Sequence, residues 1–429
     1  MADRYPLVVA SGTVQEIASG DNLDLTSSNI VGLGSFQTAD DSFIKGIRIG
    51  TGIGTSTIGS YTTYLGFCAG NGTGIGTYST GIGYSSLHEN TTGERNTAVG
   101  AFTLQKNTTG YRNTACGSNS LVVNTTGQSN VAVGHYALFL NTTGDYNTAL
   151  GQGTLLTNVS GTLNTAVGER ALYSNTSSYN TAVGGQSQIF TSSGTRNTSN
   201  GYTALGSHQT GNNNTGIGVS SLLFLVSGSD NTAVGHQAAW QVTGSYNTAV
   251  GSGALSAATS GNYNVALGRA AGVNISTGSG NLSVCTVAAD GNSSPVYSIT
   301  TEDNRIAMGH TAITNAYVQV AWTVVSDARD KTNFGEVPHG LEFVNQLKPV
   351  SFQFRKNRGT EETNGPVRYG FLAQDILELE GDTPVIIDNE HEDKLRYQGE
   401  SLVPVLVNAI KELKAENDIL KARLDAGGL

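Results

Sequence analysis

The sequence predicts a mostly β protein: a parallel β-solenoid shaft of 17-residue coils, followed by a small α+β domain that ends in a coiled-coil helix. Three observations carry this expectation. A five-residue phrase recurs at a near-fixed step, composition breaks sharply at Ser326, and the last segment has heptad spacing.

The repeat decides the fold of the middle of the chain. NTAVG begins at Asn96 and returns, with variants such as NTACG, NVAVG and NTGIG, at Asn113, Asn130, Asn147 and onward to Asn264. Counted by its closing glycine from Gly50 to Gly268, the step is 17 residues ten times and 16 three times. The full unit reads N-T-A-V-G-x-x-A-L-x-x-N-T-T-G-x-x. Its first five positions are too short for a helix and suit a strand, with Thr97 and Val99 on one face and Ala98 on the other. Val99, Val133, Leu150, Val167 and their equivalents form one apolar row, and Leu104, Leu121, Leu138 and Leu155 begin a second. The N-T-T-G stretches are turn chemistry, because Asn tolerates the left-handed region and Gly takes positive φ freely. Each coil is therefore expected to be two short strands and two corners. Some 14 coils at roughly 4.8 Å each give a rod of about 65 Å. The column at Ala98 stays small, so a close neighbour is expected there, and further copies of the rod are the expected neighbour.

Around the shaft (residues 45–275) lie three other regions. Residues 1–44 offer strand-like runs at 6–9 and 13–17 and suit an attachment or cap segment. Residues 276–325 lose the period and read as a β-rich neck or distal head, with strands expected at 284–288, 296–300, 305–308 and 316–325. Residues 326–429 hold 13 Lys/Arg and 19 Asp/Glu, more than half of the charge of the whole chain, and five of its seven prolines. That is a different physical object from the shaft.

Composition excludes several functions. The net charge of −10 opposes a nucleic-acid partner. No apolar run is long enough to span a membrane, and the opening MADRYPLVVASG does not resemble a secretory leader. Cys68, Cys116 and Cys285 fit neither a disulfide framework nor a zinc site. His135, His208 and His236 lack metal-ligand spacing and are expected at the surface. GTGIGTYSTGIG (residues 72–83) lacks the G-K-[ST] ending of a phosphate loop and sits in the repeat frame. The N-x-T/S sequons fall at coil corners, which favours turns over glycosylation. No cofactor and no metal is expected.

The repeat unit resembles the head repeats of trimeric autotransporter adhesins, which form a parallel β-roll, and the Asn-Thr-Gly repeats of phage tail fibres. After Ser326 come SDARDK, then GFLAQ at residues 370–374, then a helix over 401–424. These closely resemble the endosialidase-type intramolecular chaperone, a self-cleaving domain at the ends of phage tail fibres and tailspikes, whose signature is S-D-x-R-x-K, G-F-x-A-Q and a C-terminal coiled coil. The resemblance implies Ser326 as nucleophile and Lys331 as its base, with the chain broken between Val325 and Ser326. The chemistry is coherent, since a serine hydroxyl needs a base, and a lysine serves only when burial or a nearby cation favours its neutral form. Arg329 is a candidate for that cation, Asp327 for orienting Lys331 or Arg329, and Gln374 for holding the oxyanion.

In the last segment, Leu406, Ile410, Leu413, Asn417, Leu420 and Leu424 alternate four- and three-residue steps, a heptad seam with one polar position that sets register. The resemblance makes the seam a trimer contact. The expected function is a homotrimeric phage tail fibre, made in the host cytoplasm and carried on the virion. Residues 1–44 would join tail or baseplate proteins, and the fibre would meet a host surface receptor, a glycan or an outer-surface protein. A bacterial surface adhesin with the same maturation domain and a polysaccharide-degrading tailspike are the alternatives. The tailspike needs paired carboxylates, whereas Glu94, Asp145, Glu169 and Asp230 are scattered.

Overall fold

The computed structural model describes residues 47–49, 61–70, 76–284, 287, 295–313, 315–319, 324, 326–355, 359–390 and 393–427. The expected strands at 6–9 and 13–17, and the N-terminal attachment segment, lie outside the described residues.

The repeat folds as a β-solenoid. Sixteen three-residue strands, from β1 (Ile47–Ile49) and β2 (Thr63–Leu65) to β16 (Ile306–Met308), stack in sequence order into one sheet. Strands β2 to β16 are parallel and pair one coil apart, as in Thr97↔Thr114, Ala98↔Ala115 and Val99↔Cys116; β1 pairs antiparallel with β2. The sheet does not stop where the period does. Strand β15 (Leu282–Val284) follows in register, and β16 pairs with it after a longer excursion. Two strands of the expected neck, β15 and β16, thus continue the sheet of the shaft, while residues 296–300 and 316–319, expected as strands, are not strand.

Each coil has one strand rather than the expected two. The Leu104 arm carries positive φ at Phe102 (58°) and Leu104 (48°), and the same pattern recurs at Asn119 and Leu121. A strand cannot accommodate that backbone. The arm still bonds across coils, through Leu104 N–H to the Ser120 carbonyl (3.1 Å) and Lys106 N–H to Val122 (3.0 Å). Main-chain bonding between coils therefore meets the requirement that buried peptide groups be paired.

The small column is the inside of the coil. Ala98, Ala115, Ala132, Ala149 and Ala166 are fully buried, as are Leu104, Leu121, Leu138 and Leu155 of the opposing arm. At Gly216, in the same column, an added Cβ would sit 3.4 Å from Leu205 Cγ and 3.0 Å from Ser221 Oγ. The cavity admits a methyl group and little more. The neighbour that keeps this column small is the facing leucine of the same chain, not another rod. The Val99 row points outward instead, and Val250 and Leu267 are 38% and 40% exposed.

The asparagines of the N-T-T-G corners are also inside, whereas the sequon residues Asn213 and Asn274 are exposed. Asn107 Nδ2 donates to Asn90 Oδ1 (2.7 Å) and to the Gly110 carbonyl (2.9 Å); Asn124 and Asn141 continue the ladder at 2.8 Å per step. A second ladder starts at Asn96, whose Oδ1 accepts from Asn113 N–H, while Asn113 Nδ2 donates to the Gly127 carbonyl (2.8 Å). Gly127 is required here, since a Cβ would lie 2.4 Å from Asn124 Oδ1. With their amide nitrogens bonded and buried, these asparagines are closed to glycosylation.

The first ladder changes along the rod. After Asn175 its position is taken by Thr191, His208, Leu225, Val242, Ala258 and Ile275, all buried. His208 is therefore an interior residue and not the surface residue expected, whereas His135 and His236 are exposed. Burial pushes its imidazole down to about 4, against a smaller upward pull from the Gly211 backbone.

Beyond Ser326 lies a small α/β region. Helix α1 (Leu341–Gln346), the hairpin of β17 (Val350–Arg355) and β18 (Thr363–Gly370), helix α2 (Ala373–Glu380), and the short pair β19 (Ile387–Asp388) and β20 (Arg396–Tyr397) precede helix α3 (Gly399–Gly427). Its core is Phe343, Ile376, Ile386, Ile387, Leu402 and Val405, separate from that of the shaft. Helix α3 divides in two. Leu402, Val405 and Ala409 near its start are buried on the domain, whereas Ile410, Leu413, Leu420 and Leu424 project exposed. No helix among the described residues is long and apolar enough to cross a membrane.

Candidate active site

Ser326 and Lys331 are brought together by a single 3-10 turn, Ala328–Asp330. An extended chain would hold residues five apart at about 17 Å. Here Asp327 caps the turn, accepting the Arg329 backbone N–H at 2.9 Å, and the Lys331 N–H closes it on the Ala328 carbonyl at 3.2 Å. The Lys331 ammonium folds back and donates to Ser326 Oγ at 2.5 Å. Both side chains are exposed.

The remaining expected residues divide. Arg329 forms a 2.5 Å ion pair with Asp327 and holds that carboxyl below its ordinary range. The two charges offset each other, so Arg329 brings no free positive charge to Lys331. Gln374 is exposed in the first turn of α2 and shares no hydrogen bond with Ser326 or Lys331 among the described residues. Val325 lies outside the described residues, and with it the geometry of the expected scissile bond.

A serine hydroxyl bonded to an amine at the border of two compositionally different regions is chemically suggestive, but a capped surface turn would look similar. The comparison with known families bears on the region as a whole. Residues 326–382 match the family described as chaperone of endosialidase. The match opens at Ser326 itself and spans the turn, α1, the β17–β18 hairpin and α2. This family is a self-cleaving chaperone domain, so the chaperone region and the solenoid together give a fibre-like protein with a C-terminal maturation and assembly domain. No curated protein and no solved structure matches the chain significantly.

Three residues that shape the chaperone domain carry no sequence signal. Glu412 on α3 accepts the Leu341 N–H at 2.6 Å and so fixes the start of α1. Glu380 ends α2 and accepts the N–H groups of Val385, Ile386 and Ile387 at 2.6–2.9 Å. Arg396 lies over the Tyr297 ring, 4.0 Å from its centroid. The first and last pairs are distant in sequence, and a charge pattern does not reveal such partners.

Proposed function

We propose that this chain is the protomer of a homotrimeric virion appendage, a phage tail fibre, whose C-terminal domain aligns three chains and then removes itself by cleavage between Val325 and Ser326. The observation that carries this reading is the 2.5 Å contact of Lys331 Nζ with Ser326 Oγ at the first residue of the family match. The reading assigns the Ser326 hydroxyl to attack on the Val325 carbonyl carbon. Lys331 takes the hydroxyl proton and passes it to the departing amide nitrogen. The Val325–Ser326 C–N bond breaks as an ester to Ser326 Oγ forms, and water then hydrolyses the ester, leaving a Val325 carboxylate and an intact serine.

The exposure of both side chains suggests when this happens. A lysine acts as a base where enclosure favours its neutral form. Covering the Ser326 region by neighbouring chains would supply that enclosure, so cleavage would follow assembly. The exposed stripe on α3 is the surface that would bring the chains together. Cleavage then frees the aligning element from its covalent link, and its departure leaves the shaft kinetically trapped. Attachment to a host receptor, and to tail proteins through residues 1–44, belongs to the same reading.

Intact mass under denaturing conditions tests it. Wild type should yield fragments 1–325 and 326–429, while Ser326→Ala and Lys331→Ala should remain whole. Full-length chains in all three would leave the domain a permanent trimerisation module and end the peptidase assignment.

A further inference from the structure

The chaperone domain touches the tip of the shaft through a small polar contact that bridges the expected cleavage point. On the shaft side stand Tyr297 and Arg305; on the domain side stand Asp388, Glu390 and Arg396. Arg305 Nη2 meets Glu390 Oε1 at 2.7 Å, across 85 residues of sequence. Arg396 Nη1 meets Asp388 Oδ2 at 2.7 Å and Glu390 Oε2 at 3.8 Å, and its guanidinium lies on the Tyr297 ring. The enclosed Nη2 of Arg396 has no hydrogen-bond partner, and the electron-rich ring face stands in for one. Away from this contact, Asn364 Nδ2 donates to the Thr311 carbonyl at 3.2 Å.

The Arg305–Glu390, Arg396–Tyr297 and Asn364–Thr311 contacts each join a residue before Ser326 to one after it, while Asp388 and Glu390 hold Arg396 in place from within the domain. Cutting the chain there severs the covalent link and leaves the contact in place. The contact is also the wrong kind for permanence. The apolar cores of shaft and domain are separate, and exposed ion pairs are individually weak and screened by salt.

We propose that the tip of the shaft, centred on Tyr297 and Arg305, is a docking site for the cleaved domain, which stays bound through Glu390 and Arg396 until ionic strength releases it. The inference rests on the cleavage reading for its biological meaning, but the docking contact itself does not. Release would uncover the Tyr297 face and Arg305 at the fibre tip, a surface covered before maturation.

The test uses the full chain with Ser326→Ala and a protease recognition sequence inserted between Val325 and Ser326, cut after purification, so that failure of self-cleavage does not obscure it. Size exclusion should show fragments 1–325 and 326–429 co-eluting at about 0.05 M salt and separating at about 1 M, where the screening length falls to about 3 Å. Arg305→Glu should lose most co-elution at low salt, and Arg305→Glu combined with Glu390→Arg should restore it. Co-elution insensitive to both salt and Arg305→Glu would overturn the proposal, as would separation of the wild-type fragments at low salt. Failure of the swapped pair to restore retention would also overturn it.

Discussion

Asn124 shows what the repeat preserves. Its amide donates to Asn107 Oδ1 and to the Gly127 carbonyl, and its own oxygen accepts from Asn141. Replacing it by alanine strands buried partners on both neighbouring coils, each at about 1–3 kcal/mol. Asn124→Ala is therefore expected to speed thermal unfolding of the shaft by at least tenfold, measured as an inactivation or unfolding rate; an unchanged rate would show the ladder to be dispensable. His208 gives a second test. Because its folded value is lowered to about 4 by burial, unfolded chains take up a proton below about 6.5 that folded ones refuse. Stability should be intact at pH 7.5 and decline as pH falls towards 4. His208→Asn, which places the residue used by earlier coils at this position, should flatten that decline. Equal pH dependence in the two proteins would remove His208 as its source. The Asn spacing was plain in the sequence, but its inward direction was not. Turn-forming and ladder-forming asparagines look alike until the coil closes around them.

For single elements, alternation along the strand separates two faces without naming the inner one. Thr97-Ala98-Val99 reads equally well with either face inside; the volume left by Leu104 and its equivalents decides for alanine. The terminal helix was more legible, because its 3–4 spacing is long and regular. Its two halves do different work. Leu402 and Val405 hold it to the domain, while Ile410, at 66% exposure, and Leu413 lie free for other chains. Ile410→Asp with Leu413→Asp should keep the domain folded yet abolish the proposed trimer and slow self-cleavage at least tenfold, read by light scattering and denaturing mass. Normal cleavage by a monomeric variant would separate the chemistry from assembly. Leu402→Ala, by contrast, opens a cavity costing about 2–5 kcal/mol and should unfold the domain itself.

At the scale of the whole molecule, the outward row of Val133, Leu150, Ile217, Val250 and Leu267 runs along the rod as a half-exposed apolar stripe, interrupted by Asn200. It moves the expected rod-to-rod surface from the alanine column to the opposite face of the same strands. Packing three such stripes together would supply the burial that a narrow coil lacks. Val133→Asp with Val250→Asp should thus weaken the assembled shaft while scarcely affecting a single chain, in which both positions meet water. Equal loss in both would point to a role within the coil. Solenoid and maturation domain were legible because one repeats and the other is marked by a composition break and motifs. The Arg305–Glu390 bridge was not, because nothing local records a partner 85 residues away.

The central claim is that three chains are aligned by a domain that then leaves, and the solution mass of the purified wild-type protein at about 1 M salt tests it most directly. The account predicts a particle of three 1–325 chains, with fragment 326–429 eluting apart. A single intact 429-residue chain, or a particle of uncut chains, would contradict it.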